Sequence, residues 1–172
     1  IVSSLNRQEI DLRKKILLAR KQQENLNNLI KRAIEEEIRR AEAEAKKSNS
    51  TATKASGSSI PLTPEAAALS NSFAGNKGKL PWPVETGFIS KKYGTHPHPT
   101  LKGIVEDNDG IDIQTTPNSN VRSVFDGEVI KVGTIPGYGG TIVIKHGEYY
   151  TMYSRLKNIT VKSGQNVKAK DI

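Results

Sequence analysis

No cysteine occurs among the 172 residues. That excludes disulfides, Cys-ligated zinc, iron–sulfur centres and thiol nucleophiles. Aromatic residues are scarce at 5%, and hydrophobic residues reach only 35%. So low an apolar fraction places part of the chain outside any packed core. No run approaches the roughly 18 apolar residues of a membrane span, and no signal-peptide pattern is present. Acidic residues are outnumbered, with 26 Lys and Arg facing 18 Asp and Glu for a net charge of +8.

What is present is unevenly distributed. Residues 1–47 carry 12 Lys/Arg and 8 Asp/Glu and lack Gly, Pro and aromatics altogether. Residues 48–80 are rich in Ser, Ala, Thr and Gly. Residues 81–172 carry 11 basic and 9 acidic residues and hold most of the Gly, Pro and aromatics. The excess charge is therefore spread along the chain rather than gathered on one stripe. That argues against a nucleic-acid partner and against a simple polyanion binder. A helical pattern is already running at Ile1, and the chain stops at Ile172 in strand-like sequence, so it reads as a fragment cut at both ends.

The first segment predicts one long helix over residues 1–47. Leu5, Leu12, Ala19, Leu26 and Ala33 recur every seven residues, with Val2, Ile16 and Ile30 on the partner line. Glu9 and Gln23 interrupt that second line. The pattern is a coiled-coil seam, drifting after Ala33 to Ile34, Ile38, Ala41 and Ala45. Residues 2–47 as a helix would span ~69 Å. So narrow a seam requires a partner: an antiparallel arm, a second copy or another protein. A plain spacer and a protein-docking arm are both consistent with it.

Residues 48–79 read as a flexible linker interrupted by a short helix at about 63–74. Thr63 is a suitable N-cap, Pro64 suits the first helical position, and Gly75 can end the turn. Leu69 and Phe73 share one face. A helix this short needs docking, either on the back of the next domain or as a strap over a functional groove.

From Leu80 the pattern changes to short strands punctuated by Gly and Pro, expected at 87–92, 110–114, 120–124, 127–133, 140–146 and 149–155. Val121, Val124, Val129, Ile130, Val132, Ile142, Val143 and Ile144 form the expected core. Residues 80–172 predict a small antiparallel β domain, and the chain as a whole is α + β.

Several ordered motifs in this domain carry a resemblance. Leu80-Pro81-Trp82-Pro83-Val84, Lys92-Tyr93-Gly94 and Gly110-Ile111-Asp112-Ile113 open it. Val124-Phe125-Asp126-Gly127-Glu128-Val129, then the run from Gly137-Tyr138-Gly139-Gly140 to His146-Gly147, and finally Met152-Tyr153-Ser154-Arg155-Leu156 continue it. Together they resemble the LytM-type (lysostaphin-like, duplicated-hybrid-motif) zinc peptidase domain, incomplete at its C-terminal end.

The resemblance implies a zinc site made by a His-x-x-x-Asp pair and a later His-x-His, with a further catalytic His in Tyr-x-His-Leu. Such a site needs three protein ligands, an open position for water, and a base. Here Asn108-Asp109-Gly110-Ile111-Asp112 keeps only Asp112, and an amide is a poor substitute for imidazole at zinc. Tyr153-Ser154-Arg155-Leu156 puts a permanent cation where the catalytic His belongs. His96 and His98 stand in a Pro-rich loop ahead of the Asp motif, in the wrong order for the family pair. His146 matches a structural strand-end position. No catalytic residue, metal ligand set or cofactor is expected.

Coiled coil, linker and degenerate LytM domain, in that order, are similar to the EnvC-like murein hydrolase activators. That resemblance implies a non-catalytic activator of peptidoglycan amidases acting in septal splitting, in the periplasm of a Gram-negative-type bacterium. It implies an amidase as partner in the former substrate groove, and a membrane ABC-type division complex as partner of the coiled coil. Peptidoglycan itself is a further candidate ligand. Asn108, Asp109, Asp112, Tyr138, Tyr153 and Arg155 are the expected groove residues. Leu69 and Phe73 are expected to cover the groove if the short helix is a restraint. The competing expectation is an active zinc endopeptidase that recruits Asp112 and histidines from elsewhere.

Overall fold

The computed structural model describes residues 2–48, 64–98 and 103–172. Helix α1 spans Val2–Ser48, uninterrupted because it contains neither Pro nor Gly. Leu12, Ile16, Leu26, Ile30 and Ala33 are wholly or partly buried along one stripe, and Leu26 keeps only 3% of its exposure. Ala19 is exposed, and the side chains of Val2, Leu5, Ala41 and Ala45 lie outside the described residues. Part of α1 lies against the chain's own β domain, where it meets β5. Glu37, one turn beyond Ala33, pairs with Lys145 at 3.6 Å. An apolar stripe specifies that something covers it, and a sheet face serves as well as a helix. Ile10, Leu17, Leu18 and Leu29 remain exposed on the rest of the helix.

Helix α2 spans Pro64–Gly75, with Glu65 in its first turn as the positive helix end favours. The expected cap Thr63, and residues 49–62 of the expected linker, lie outside the described residues.

The β domain is antiparallel throughout. Strand β1 (Phe88–Lys91) pairs with β4 (Asp112–Gln114), and β2 (Gly94–Pro97) pairs with β3 (Val105–Asn108). Strands β5 (Gly127–Ile135), β6 (Gly139–His146), β7 (Tyr149–Leu156) and β8 (Asn166–Val167) form a sheet in the order β7-β6-β5-β8. Val129, Ile144 and Val167 are its buried centre, with Val132, Ile142, Tyr153 and Val161 packed around them. Val143 is buried too, and the period of two turns it to the opposite face, the one that carries Lys145.

Two expectations are corrected. Residues 120–124 form no strand. Their backbone bonds make no ladder: the Arg122 N–H donates to Pro83 O, while Ser123 alone bonds the 170–171 turn, its N–H donating to Asp171 O and its O accepting the Lys170 N–H. The stretch around His96 and His98 is not a free loop but includes β2, zipped to β3 with His96 opposite Glu106. No described helix is long and apolar enough to cross a membrane.

Candidate functional site

The degenerate motif lies where β3 ends and β4 begins. Asn108 closes β3, and its Nδ2 donates to the Lys92 carbonyl at 3.2 Å. His96 Nε2 lies 3.0 Å from the same carbonyl oxygen. That nitrogen must carry the proton, because a carbonyl only accepts. Two side chains thus clasp the β2–β3 hairpin to the turn after β1. Glu106 on β3 adds a second clasp through Lys91 Nζ at 2.6 Å, with His98 Nε2 3.5 Å away. The lysine contact holds the Glu106 carboxyl below its usual range.

Asp112 opens β4 and faces Arg155, near the end of β7. The backbone aims that arginine. Ser154 and Arg155 together oppose Thr141 across a bulge in the β6–β7 ladder, and Arg155 takes φ 63. A bulge of this kind re-aims a side chain at the rim of a sheet. The Arg155 N–H donates to the Tyr138 carbonyl at 2.6 Å. Glycine at 140 permits the approach, since a Cβ there would stand 2.5 Å from the Leu156 carbonyl oxygen. The guanidinium then lies 3.5 Å from Asp112 Oδ2 while remaining 66% exposed. Such an exposed pair contributes less than about 1 kcal/mol. Its effect is orientation: one nitrogen is engaged and the rest of the fork faces solvent. Tyr138 is half-buried beside this pair, and burial pushes its phenol up despite the opposing charge of Arg155.

Asp109 is tied to α1. Gln23 Nε2 and Asn27 Nδ2, one helical turn apart, both donate to its Oδ2 at 2.9 Å. These bonds hold its carboxyl below the usual range. Nearby, Arg20 donates to the Val105 carbonyl at 2.7 Å. Gln22 fills the space over Gly137, where a Cβ would lie 2.6 Å from its amide carbon. Side-chain amides of this kind are missed by a search for acids, bases and metal ligands, but one signal existed: Gln23 breaks the apolar line of α1 at the point where the helix crosses Asp109.

The remaining expected residues sit elsewhere. The Tyr153 ring packs against the sheet core, and its hydroxyl accepts the Val124 N–H at 2.9 Å. The period of two along β7 therefore parts it from Arg155 only through the bulge. Phe73 of α2 lies on His146 and Tyr149, at the far end of the β6–β7 hairpin from Arg155. Leu69 is half-buried on the same helix. The helix that touches the degenerate motif is α1, not α2.

These residues do not fit a zinc ion. Asn108 offers a weakly ligating amide where imidazole is needed, and a guanidinium stands beside the single carboxylate that matches a ligand. Among the described residues no three His, Cys, Asp or Glu side chains converge in a way that could hold a metal.

Comparison with known proteins agrees with the β domain. Residues 106–172 match the model of peptidase family M23. Over 115 residues the chain is 33% identical to the cell division protein DipM of Caulobacter vibrioides (strain NA1000 / CB15N). That match covers 66% of this chain but 18% of the length of DipM. The solved structure of Helicobacter pylori Csd3 shares 29% identity over 53% of this chain and 26% of that one, with a TM-score of 0.46. A putative peptidase M23 from Pseudomonas aeruginosa shares 22% identity over 60% of this chain and 44% of its own, with a TM-score of 0.35. The C-terminal part of the chain is an M23-type, LytM-like domain, homologous to part of a cell division protein.

Proposed function

We propose that this chain is a non-catalytic activator of peptidoglycan amidases, working in cell-wall remodelling during division in the bacterial periplasm. The observation that carries the reading is the Arg155–Asp112 pair. In an M23-type site that space needs a metal and a neutral base. Here a fixed cation, aimed by a bulge and largely solvent-facing, is suited to engage a carboxylate or carbonyl on a protein. Asn108, Asp109, Asp112 and Tyr138 form the surroundings of that arginine. Homology to DipM, a cell division protein, supports the cellular setting.

The restraint expected of the 63–74 helix is better assigned to α1. Gln23 and Asn27 bind Asp109 at the edge of the motif, so an amidase approaching Arg155 meets α1 first. A membrane complex that pulls on α1 would open the site.

The test is reconstitution of the purified protein with a zinc amidase of the same organism on labelled peptidoglycan. The protein alone releases no label, and with the amidase it raises release. Arg155→Glu lowers that stimulation at least tenfold with an unchanged melting curve. Label released by the protein alone, or full stimulation by Arg155→Glu, overturns the proposal.

A further inference from the structure

Helix α2 sits on the end of the β6–β7 hairpin, and three contacts hold it there. Ser70 is buried, and its Oγ accepts the Glu148 N–H at 2.7 Å. Gly147, at φ 74, runs so close beneath the helix that a Cβ would stand 2.6 Å from the Ala66 carbonyl oxygen. Phe73 lies flat on the His146 ring, centroids 4.9 Å apart at 15°, and on Tyr149 at 5.1 Å and 22°. It meets Phe125 edge-on at 5.3 Å.

The side chain under these contacts is a histidine with 0% exposure. His146 Nδ1 lies 2.6 Å from the Asp126 carbonyl oxygen, so that nitrogen carries the proton. Nε2 lies 2.8 Å from Thr151 Oγ1, whose hydroxyl donates to it in the neutral ring. Beneath the ring the floor is fixed. A Cβ at Gly127 would lie 2.6 Å from Nδ1, so the sheet backbone itself closes that side. Phe73 closes another, and it belongs to an element outside the sheet. The floor cannot leave without unfolding the domain, whereas the cover can.

We propose that α2 is a pH-released clasp: protonation of His146 lifts Phe73 and its helix from the hairpin while the four-stranded sheet stays folded. The groups that face the ring are few. Asp126 contributes a carbonyl and a carboxylate, β7 contributes the Tyr149 ring and, through Thr151, the Tyr153 hydroxyl 3.4 Å beyond. Phe125 adds an edge at 6.1 Å. From α2 the ring receives Phe73, and the helix's one carboxylate, Glu65, lies in its first turn. An imidazolium here gains the attraction of Asp126 and of the Phe73 face, but it loses its water. Burial prevails and holds the ring below its ordinary value. Lifting Phe73 wets the ring and returns the lost hydration. The docked state binds the proton less readily than the released state. Docking therefore weakens as pH falls below about 6.5, by at most tenfold per pH unit. This inference stands independently of the amidase reading.

The test is amide hydrogen exchange of the whole chain at pH 7.5 and 5.0, corrected for intrinsic rates. Protection of residues 64–75 falls at least tenfold at the lower pH, while protection of β5 and β6 is retained. His146→Asn keeps a donor for the Asp126 carbonyl, cannot titrate, and flattens the response. Should that variant not fold, NMR titration of His146 in Phe73→Ala reports the same coupling, with the midpoint moving up toward about 6.5. Unchanged protection of 64–75, its loss together with the sheet, or a His146 midpoint unmoved by Phe73→Ala overturns the proposal.

Discussion

Arg155 sets a backbone cost against a small electrostatic return. Its left-handed backbone costs a non-glycine residue about 1–2 kcal/mol. Its exposed pair with Asp112 returns less than about 1 kcal/mol. A site retained for stability alone would carry glycine here, as Gly139 does beside it at φ 63. Strain of this kind marks positions held for function. Arg155→Gly is therefore expected to leave stability unchanged or raise it by up to about 1 kcal/mol while removing amidase stimulation. Thermal melting and the labelled-peptidoglycan assay read the two effects separately. A variant that melts several degrees earlier would show that the ion pair is structural. The sequence made Arg155 visible as a cation in place of a histidine. Its φ was not visible, because nothing local requires the bulge: Gly139 and Gly140 on the neighbouring strand provide the space.

At the scale of elements, periodicity was informative about stripes and uninformative about what covers them. The buried line of α1 through Leu12, Leu26 and Ala33 follows the heptads, and part of that helix lies against β5. Val121 and Val124 gave residues 120–124 a strand-like composition, but no neighbouring strand supplies a ladder. At β2 the converse holds: Pro97, Pro99 and two histidines have the composition of a loop, yet Gly94–Pro97 pairs with β3. Cross-strand clasps through Lys91, Glu106, Asn108 and Lys92 hold that hairpin instead of apolar alternation. The α1 contact with Asp109 rests on two side-chain amides, both at the surface. Hydrogen bonds to a charged group contribute about 1.5–3 kcal/mol when sheltered, and solvent reduces that here to about 1 kcal/mol for the pair. Gln23→Ala combined with Asn27→Ala is expected to loosen α1 without harming the sheet. Hydrogen exchange in residues 20–38 rises several-fold, β5 and β6 stay protected, and amidase stimulation increases. Lower stimulation would mean that α1 helps to build the amidase surface rather than shield it.

For the molecule as a whole, the titrating contacts lie around an apolar cluster in the four-stranded sheet, and His146 is the one of them that is fully buried. Val129, Ile144 and Val167 carry the sheet, with Val132, Ile142, Tyr153 and Val161 packed on them. Three contacts around that sheet and the neighbouring hairpins depend on protonation, and their signs agree. His146 is held below its ordinary value, chiefly by burial, so its contribution is intact above about 6.5 and is lost as pH falls below that. Asp109 is held down by Gln23 and Asn27, and Glu106 by Lys91. Stability from both carboxylates is present above their ordinary values near 4 and disappears as pH falls through the depressed ones. The order of loss follows from the two ranges. On acidification α2 leaves first, between about pH 6.5 and 5. The α1 contact and the β2–β3 clasp follow only below about pH 4, and the sheet is last. Hydrogen exchange of 64–75, 20–38, 94–108 and 139–146 across that range resolves the four regions in one titration. Loss of α1 before α2 would contradict the ordering, because no group that titrates between pH 6.5 and 5 ties Asp109 to Gln23 and Asn27.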